Sequence, residues 1–229
     1  MRPPLVFSWS GGKDSAMALH SLLHSLDFDV VALLTTVTEG FDRISMHGVR
    51  RELLHQQAKS IGLPVEEVSI PPQCPNSIYE SRMAETLVRL RERGIQHFGF
   101  GDIFLRDLRT YRENNLAKIG AEAIFPLWDI DTRELAARFV KDGFRAITVC
   151  VDPRKLAKTF AGRELDSTFF KALPTDVDPC GENGEFHTFV FDGPIFRSPI
   201  LVQTGEIVER DSFVFCDVLP YRKEENHAS

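Results

Sequence analysis

Through residues 1–150 the chain alternates short apolar, β-branched runs with longer amphipathic segments, and that alternation limits it to a narrow set of folds. Leu5–Ser10 is apolar and ends at the turn Gly11-Gly12; Lys13–Leu26 then carries Leu19, Leu22, Leu23 and Leu26 at helical spacing. Val30–Val37 reads as a strand, and Arg50–Ile61 as a helix stopped by Gly62 and Pro64. Val65–Ile70 is strand-like. Asn76–Arg93 is helical, with Tyr79, Met83, Leu87 and Leu90 on one face and Gly94 at its end. The pattern continues with strands at His97–Ile103, Ala123–Leu127 and Ala146–Val151, separated by helices at Leu108–Ile119 and Thr132–Lys141. Strands joined by helices of this length predict an α/β fold, a parallel sheet of five or six strands covered on both faces.

After residue 150 the rhythm changes. A helix around Ser167–Leu173 precedes strand-like segments at Phe186–Phe191, Ile195–Val202 and Glu206–Val218, the last two read as a hairpin turning at Thr204-Gly205. Composition shifts at the same point. Of the 18 Phe, nine lie beyond residue 150, and the net charge is −5 there against −1 before it. The expected organisation is therefore an α/β part over 1–150 and a small α+β part over 151–229 with a core of its own. An exposed edge strand carrying Phe213 and Phe215 is compatible with a homodimer.

An overall charge of −6 argues against a nucleic-acid partner, whose phosphates call for a basic face. No apolar run has the length of a membrane span, and the first residues lack the apolar stretch of a signal peptide. The four cysteines, Cys74, Cys150, Cys180 and Cys216, form no CxxC pair, which argues against a zinc or dithiol site and for a cytoplasmic location.

The segment Phe7-Ser8-Trp9-Ser10-Gly11-Gly12-Lys13-Asp14-Ser15 is a strand, a Ser-Gly-Gly turn and a helix start. Glycines there let backbone N–H groups approach an anion, the helix N-terminus adds partial positive charge, and Ser10, Lys13 and Ser15 add donors. The spacing is neither that of a Walker loop nor that of a dinucleotide fingerprint. It matches SGGxDS, the signature of PP-loop ATP pyrophosphatases, which bind the β and γ phosphates together and leave AMP on the substrate.

Three later stretches stand out. In Phe98-Gly99-Phe100-Gly101-Asp102-Ile103 the glycines point to a close approach by ligand or backbone, while Asp102 is placed to hold Mg²⁺, to orient a substrate, or to cap the next helix. Ile124-Phe125-Pro126-Leu127-Trp128 reads first as packing. Val177–Val190 gathers Cys180, Glu182, Asn183, Glu185, His187 and Thr188 just before a strand.

Together these stretches are similar to the diphthine–ammonia ligase family of PP-loop enzymes. The resemblance runs from Ser10–Ser15 through Gly101-Asp102-Ile103 and Pro126-Leu127-Trp128 to Cys180–Thr188 and Asp192-Gly193-Pro194-Ile195-Phe196. It implies a Rossmann-like sheet of the adenine nucleotide α hydrolase type, an ATP-binding domain over 1–150 and a substrate-binding domain over 151–229. The implied activity is ATP-dependent amidation. A carboxylate acceptor is adenylated with Mg²⁺ present, pyrophosphate leaves, and ammonia displaces AMP; the family's characterised acceptor is diphthine, a modified histidine of elongation factor 2. ATP contacts are assigned to Ser8, Trp9, Ser10, Gly11, Gly12, Lys13, Asp14, Ser15, His47, Gly101 and Asp102, with Asp14 and Asp102 also holding metal. Lys13, Asp14, Glu182, Glu185 and His187 are the catalytic set, and Arg112, Cys180, Glu182, Asn183, Glu185 and Thr188 face the substrate. Arg50 and Arg51, next to His47, are expected to close over the phosphates. Where the family usually reads Gly-Glu-Gly-Gly-Glu-(Tyr/Phe)-Glu-Thr, this chain has Asn183 for a glycine and His187 for the last glutamate, which leaves the acceptor open. Two other readings stand beside this one: PP-loop sulfur transfer to RNA through Cys180, and a non-catalytic adenine-nucleotide sensor.

Overall fold

A computed structural model describes residues 2–40, 43–44 and 48–221. The first half builds β1 (Pro4–Ser8), α1 (Lys13–His24), β2 (Asp29–Thr38), β3 (Arg43–Ile44), α2 (Arg51–Ile61), β4 (Val65–Ile70), α3 (Asn76–Glu92), β5 (His97–Gly99), α4 (Arg106–Ala117) and β6 (Glu122–Ile124). Five of these strands run parallel in the order β4-β2-β1-β5-β6, and the short β3 pairs antiparallel with the end of β2.

Side-chain alternation along the strands decides which helix covers which face. Leu5 and Phe7 of β1 pack in one core with Leu19 of α1 and Leu53 and Leu54 of α2. Val6, between them, packs in the other with Leu87 and Leu90 of α3 and Leu116 of α4. The chain leaves β1 toward β4 on one side and returns to β5 on the other, so the strand order reverses beside β1. A crevice opens there at the carboxyl ends of β1 and β5.

The second half comprises α5 (Thr132–Lys141), β7 (Arg145–Val151), α6 (Ser167–Ala172), β8 (Phe186–Asp192), β9 (Val202–Arg210) and β10 (Phe213–Pro220). Asp131 caps α5, its carboxylate accepting from the N–H groups of Arg133 and Glu134. The four strands form an antiparallel sheet in the order β8-β7-β10-β9.

Four expectations from sequence are corrected here. The strand at 145–151 belongs to this second sheet rather than to the parallel one, so the change of sheet precedes residue 150. Among the described residues the second half has no separate core. Phe139, Phe169, Phe186, Phe189 and Val190 join α1, α2 and β1 in one continuous cluster. The hairpin turns at Asp211-Ser212, whose φ values of 52° and 67° supply the positive-φ pair that matches strand twist, while Thr204 and Gly205 lie inside β9. Finally, the strand with Phe213 and Phe215 is interior, paired on both sides, and β9 is the edge. No helix among the described residues is long and apolar enough to cross a membrane.

Candidate active site

The loop between β1 and α1 is shaped from beneath. Gly11 holds φ +79°, and a Cβ on it would sit 2.8 Å from the side-chain oxygen of Gln57. Gln57, fully buried on α2, accepts from the Trp9 indole N–H at 3.0 Å and donates to the carbonyls of Gly11 at 3.1 Å and Val190 at 2.6 Å. Gly11 O also accepts from Val190 N at 2.9 Å, so the loop is sewn to β8 of the second sheet. Within it, Ser10 Oγ accepts from Gly12 N and meets Ser15 Oγ at 3.0 Å, and Ser15 donates to Gly12 O.

Two further ties run from the helix start to β8 and to the loop before it. Lys13 N donates to Thr188 Oγ1 at 3.0 Å, and the Lys13 ammonium donates to the Cys180 carbonyl and, at 2.7 Å, to Asp14. Burial opposes the charge on Lys13, but Asp14, Cys180 and Glu182 outweigh it and its pKa is raised. Burial raises Asp14 as well, against the pull of Lys13.

From the far side of β1 comes the segment after β5. Gly101 packs on the start of α1, where a Cβ would stand 3.0 Å from Ser15 N and 3.1 Å from the Asp14 carbonyl carbon. The close approach read from sequence is thus to backbone. Asp102 does not cap α4, whose cap is Leu105; instead it takes a two-point ion pair from Arg112, at 2.7 and 3.1 Å. Arg112 in turn lies over the Phe100 ring.

These pieces line one cavity of about 520 Å³ between the two sheets. Ser8, Ser10, Gly12, Lys13, Asp14 and Ser15 border it on the loop side, and Gly101, Asp102 and Arg112 come from the β5–α4 side. Cys180, Glu182, Asn183, His187 and Thr188 close it from the second sheet. Five described residues assigned from sequence do not line it. The Trp9 ring is buried in the core, Gly11 is turned toward Gln57, and Glu185 lies behind the loop, accepting from Asp178 N and the Asn183 amide at 3.2 Å each. His47 lies outside the described residues. Arg50 is held by Asp217 and Arg51 by Glu67, so neither lines the cavity.

Electrostatics separate the remaining polar groups. Glu182 accepts from Ile103 N at 2.9 Å; burial carries its pKa up to about 7, with Asp14 and Asp102 adding to the rise. Burial, with Lys13 nearby, lowers His187 to about 4, so its imidazole is neutral. Burial pushes the Cys180 thiol well up, and its Sγ faces the Thr132 carbonyl at 3.5 Å. Among the described residues no group of three His, Cys, Asp or Glu forms a ready metal centre.

Sequence reasoning missed Gln57, which reads as one more polar residue on an amphipathic helix. It also missed Asp152, Arg154 and Lys155, which follow β7 and border the cavity. The cluster of Asp-Pro-Arg-Lys immediately after an apolar strand is the one signal that could have found them.

An apolar pocket adjoins the cavity through Ser8, Phe100 and Arg112, and is walled by Leu34, Tyr79 and Met83. It sits on the face of the parallel sheet covered by α3 and α4.

Comparison with known proteins matches residues 5–123 to the diphthamide synthase N-terminal domain and residues 131–223 to the diphthamide synthase C-terminal domain. A diphthine–ammonia ligase of Schizosaccharomyces pombe is 29% identical over 228 residues, covering 90% of this chain and 37% of that protein. The chain thus spans little more than a third of that relative. The ligases of Danio rerio and Mus musculus are 25% and 24% identical, each matched over 90% of its length. With both domain models matched in order and the two sheets closing on one cavity, the chain belongs to the diphthamide synthase family.

Proposed function

We propose that this chain is an ATP-dependent, AMP-forming carbon–nitrogen ligase that amidates a carboxylate acceptor with ammonia, the acceptor being diphthine or a close relative of it. The carrying observation is that the phosphate loop of the parallel sheet and the Cys180–Thr188 segment of the second sheet are bonded through Lys13 and enclose one cavity. The nucleotide is held from the parallel sheet. Its phosphates lie on the loop between β1 and α1, and its base and ribose enter the adjoining apolar pocket beside Tyr79 and Phe100.

Mg²⁺ keeps phosphate and water ligands and takes only one or two carboxylates. Asp14 and Asp102 beside the loop fit that demand, although each is shared with a cation, Lys13 and Arg112 respectively. When bound, the ion neutralises charge on the departing pyrophosphate.

The chain's own work is positioning and proton transfer. The acceptor carboxylate must meet the α-phosphate in line with the leaving pyrophosphate, which the rigid loop orients. An amine attacks only when neutral, so a base must take a proton from the incoming ammonium. Glu182 meets that need: it borders the cavity, Ile103 N orients it, and its pKa of about 7 lets it exchange a proton near neutrality. His187 at about 4 is too weak a base, and Glu185 is committed behind the loop.

Nothing favours sulfur transfer. It needs a reactive thiolate, and Cys180 is 2% exposed with its thiol pushed up by burial. Free cysteines throughout agree with a cytoplasmic enzyme. The test is the products formed from ATP, Mg²⁺, ammonium and elongation factor 2 bearing diphthine. AMP and pyrophosphate in equal amounts, with an amidated acceptor, are expected; ADP, or no turnover with this or any other carboxylate acceptor offered, would overturn the assignment.

A further inference from the structure

The cavity has a second set of cations that neither the loop nor the Cys180–Thr188 motif accounts for. Directly after β7 the chain makes a tight turn at Asp152-Pro153-Arg154-Lys155. Asp152 is 2% exposed, and its carboxylate accepts from Arg154 three times, from the backbone N–H at 3.0 Å, Nε at 2.8 Å and Nη2 at 2.7 Å. The Arg154 side chain is 68% exposed, so it reaches from this buried anchor to the solvent side of the cavity. Its guanidinium also lies 5.7 Å from the Phe213 ring centroid, a weak cation–π contact on a second side. Nη1 has no protein acceptor among the described residues. An exposed arginine ordinarily samples many rotamers; this one is held in place from below and from the side.

Lys155 stands next to it and donates its ammonium to the Asn183 carbonyl, within the motif that closes the cavity. Its partner there is a neutral group. Across the cavity Lys13 is paired with Asp14, and Arg112 holds Asp102 by the same Nε–Nη2 edge that Arg154 sets on Asp152, but their side chains are 3% and 24% exposed against 68% for Arg154. The cations of the cavity that stand open to solvent are therefore on the second-sheet side.

We propose that Arg154 and Lys155 form the subsite for the acceptor's carboxylate, with Asp152 as the positioning residue that presents Arg154. The assignment rests on the ligase reading above and deepens it. An acceptor carried on a protein surface must enter from solvent, where Arg154 is, whereas the phosphates of the nucleotide belong on the buried loop. A guanidinium with one edge fixed on Asp152 offers its remaining N–H groups to a carboxylate, and Lys155 adds a point charge.

The test uses the full chain, with pyrophosphate release followed against acceptor concentration and ATP binding measured separately by titration without acceptor. For Arg154→Ala and for Lys155→Ala the KM for acceptor should rise about tenfold or more, with kcat held within about twofold and ATP affinity unchanged. Arg154→Ala strands the buried Asp152 carboxylate, so the pair Asp152→Asn with Arg154→Ala is measured as well and should show the same KM effect. Arg154→Lys should fail to rescue, because an ammonium cannot grip Asp152 and a carboxylate with two separate edges. If ATP affinity falls instead, the two residues hold phosphate, and if no parameter moves they are solvated surface; either result overturns the subsite. Absence of acceptor-dependent turnover in the unaltered chain would refute the ligase reading, and the subsite with it, before any variant is compared.

Discussion

Replacing Glu182 by Gln separates its charge from its shape. A glutamine oxygen still accepts the Ile103 N–H that Glu182 Oε1 takes at 2.9 Å, so the loop geometry survives while the titrating group is lost. The rise of Glu182 from the ordinary 4.5 to about 7 corresponds to roughly 3 kcal/mol against its charged form. With a pKa near 7, about a tenth of the carboxylate is ionised at pH 6 and about nine tenths at pH 8. If the ionised form is the base that deprotonates bound ammonium, turnover at fixed ammonium should climb roughly tenfold between those values and then level off. Pyrophosphate release at saturating ATP reads this directly, provided ammonium, the species Glu182 deprotonates, is held constant at each pH. Glu182→Gln should lose the inflection and fall about a hundredfold or more on the plateau. Stability offers a second reading with the opposite slope. The folded chain binds this proton more tightly than the unfolded chain, so the stabilisation is complete below about pH 4.5 and is lost as pH rises through about 7. Thermal unfolding of the unaltered chain should therefore weaken across that window relative to Glu182→Gln, by at most roughly 3 kcal/mol. An inflection near pH 7 that persists in Glu182→Gln would refute the assignment of the base.

Gln57→Ala removes the partner of the Trp9 indole and of the Val190 carbonyl in a dry interior, and should cost about 2–4 kcal/mol in urea unfolding together with a loss of ATP affinity. Gly101→Ala places a methyl 3.0 Å from the backbone of Ser15 and should push α1 away from β5, weakening ATP binding about tenfold in a titration while leaving the chain folded. Cys180→Ser should retain turnover within about a factor of two, because a thiol whose pKa is raised by burial is no nucleophile at neutral pH. Asp131→Ala, outside the cavity lining, removes the cap of α5 and should lower stability by about 1 kcal/mol with no change in KM for ATP.

Much of the first sheet was legible because each of its elements carries its own period. The leucines of α1 and α2 and the runs of β2 and β4 fix both type and approximate ends. What pairs with what is another matter. Arg145–Val151 is buried at six successive positions, and a strand covered on both faces looks the same in a parallel or an antiparallel sheet. Its neighbours, β8 and β10, begin more than thirty residues later. Length alone gave no reason to prefer them over β6. The hairpin failed for a related reason. Thr204-Gly205 is a turn signal by composition, yet the twist of β9 against β10 demands positive φ at two adjacent positions, and Asp211-Ser212 supplies it.

The site divides along the same line. The SGGxDS run was legible because its function is local: a tight turn and a helix start need only neighbouring residues. The partners that set its chemistry are distant, such as Gln57 to Val190, Lys13 to Cys180, and Glu182 to Ile103. Net charge by segment says little about the face a segment presents. Beyond residue 150 Asp217 is spent on Arg43 and Arg50, Asp152 on Arg154, and Glu185 on the turn it supports. A buried carboxylate contributes to the sum for its segment and little to the face its segment presents. From that acidic half Arg154 and Lys155 border the cavity beside Asp152 and Glu182, so the charge presented there is not the segment's net charge.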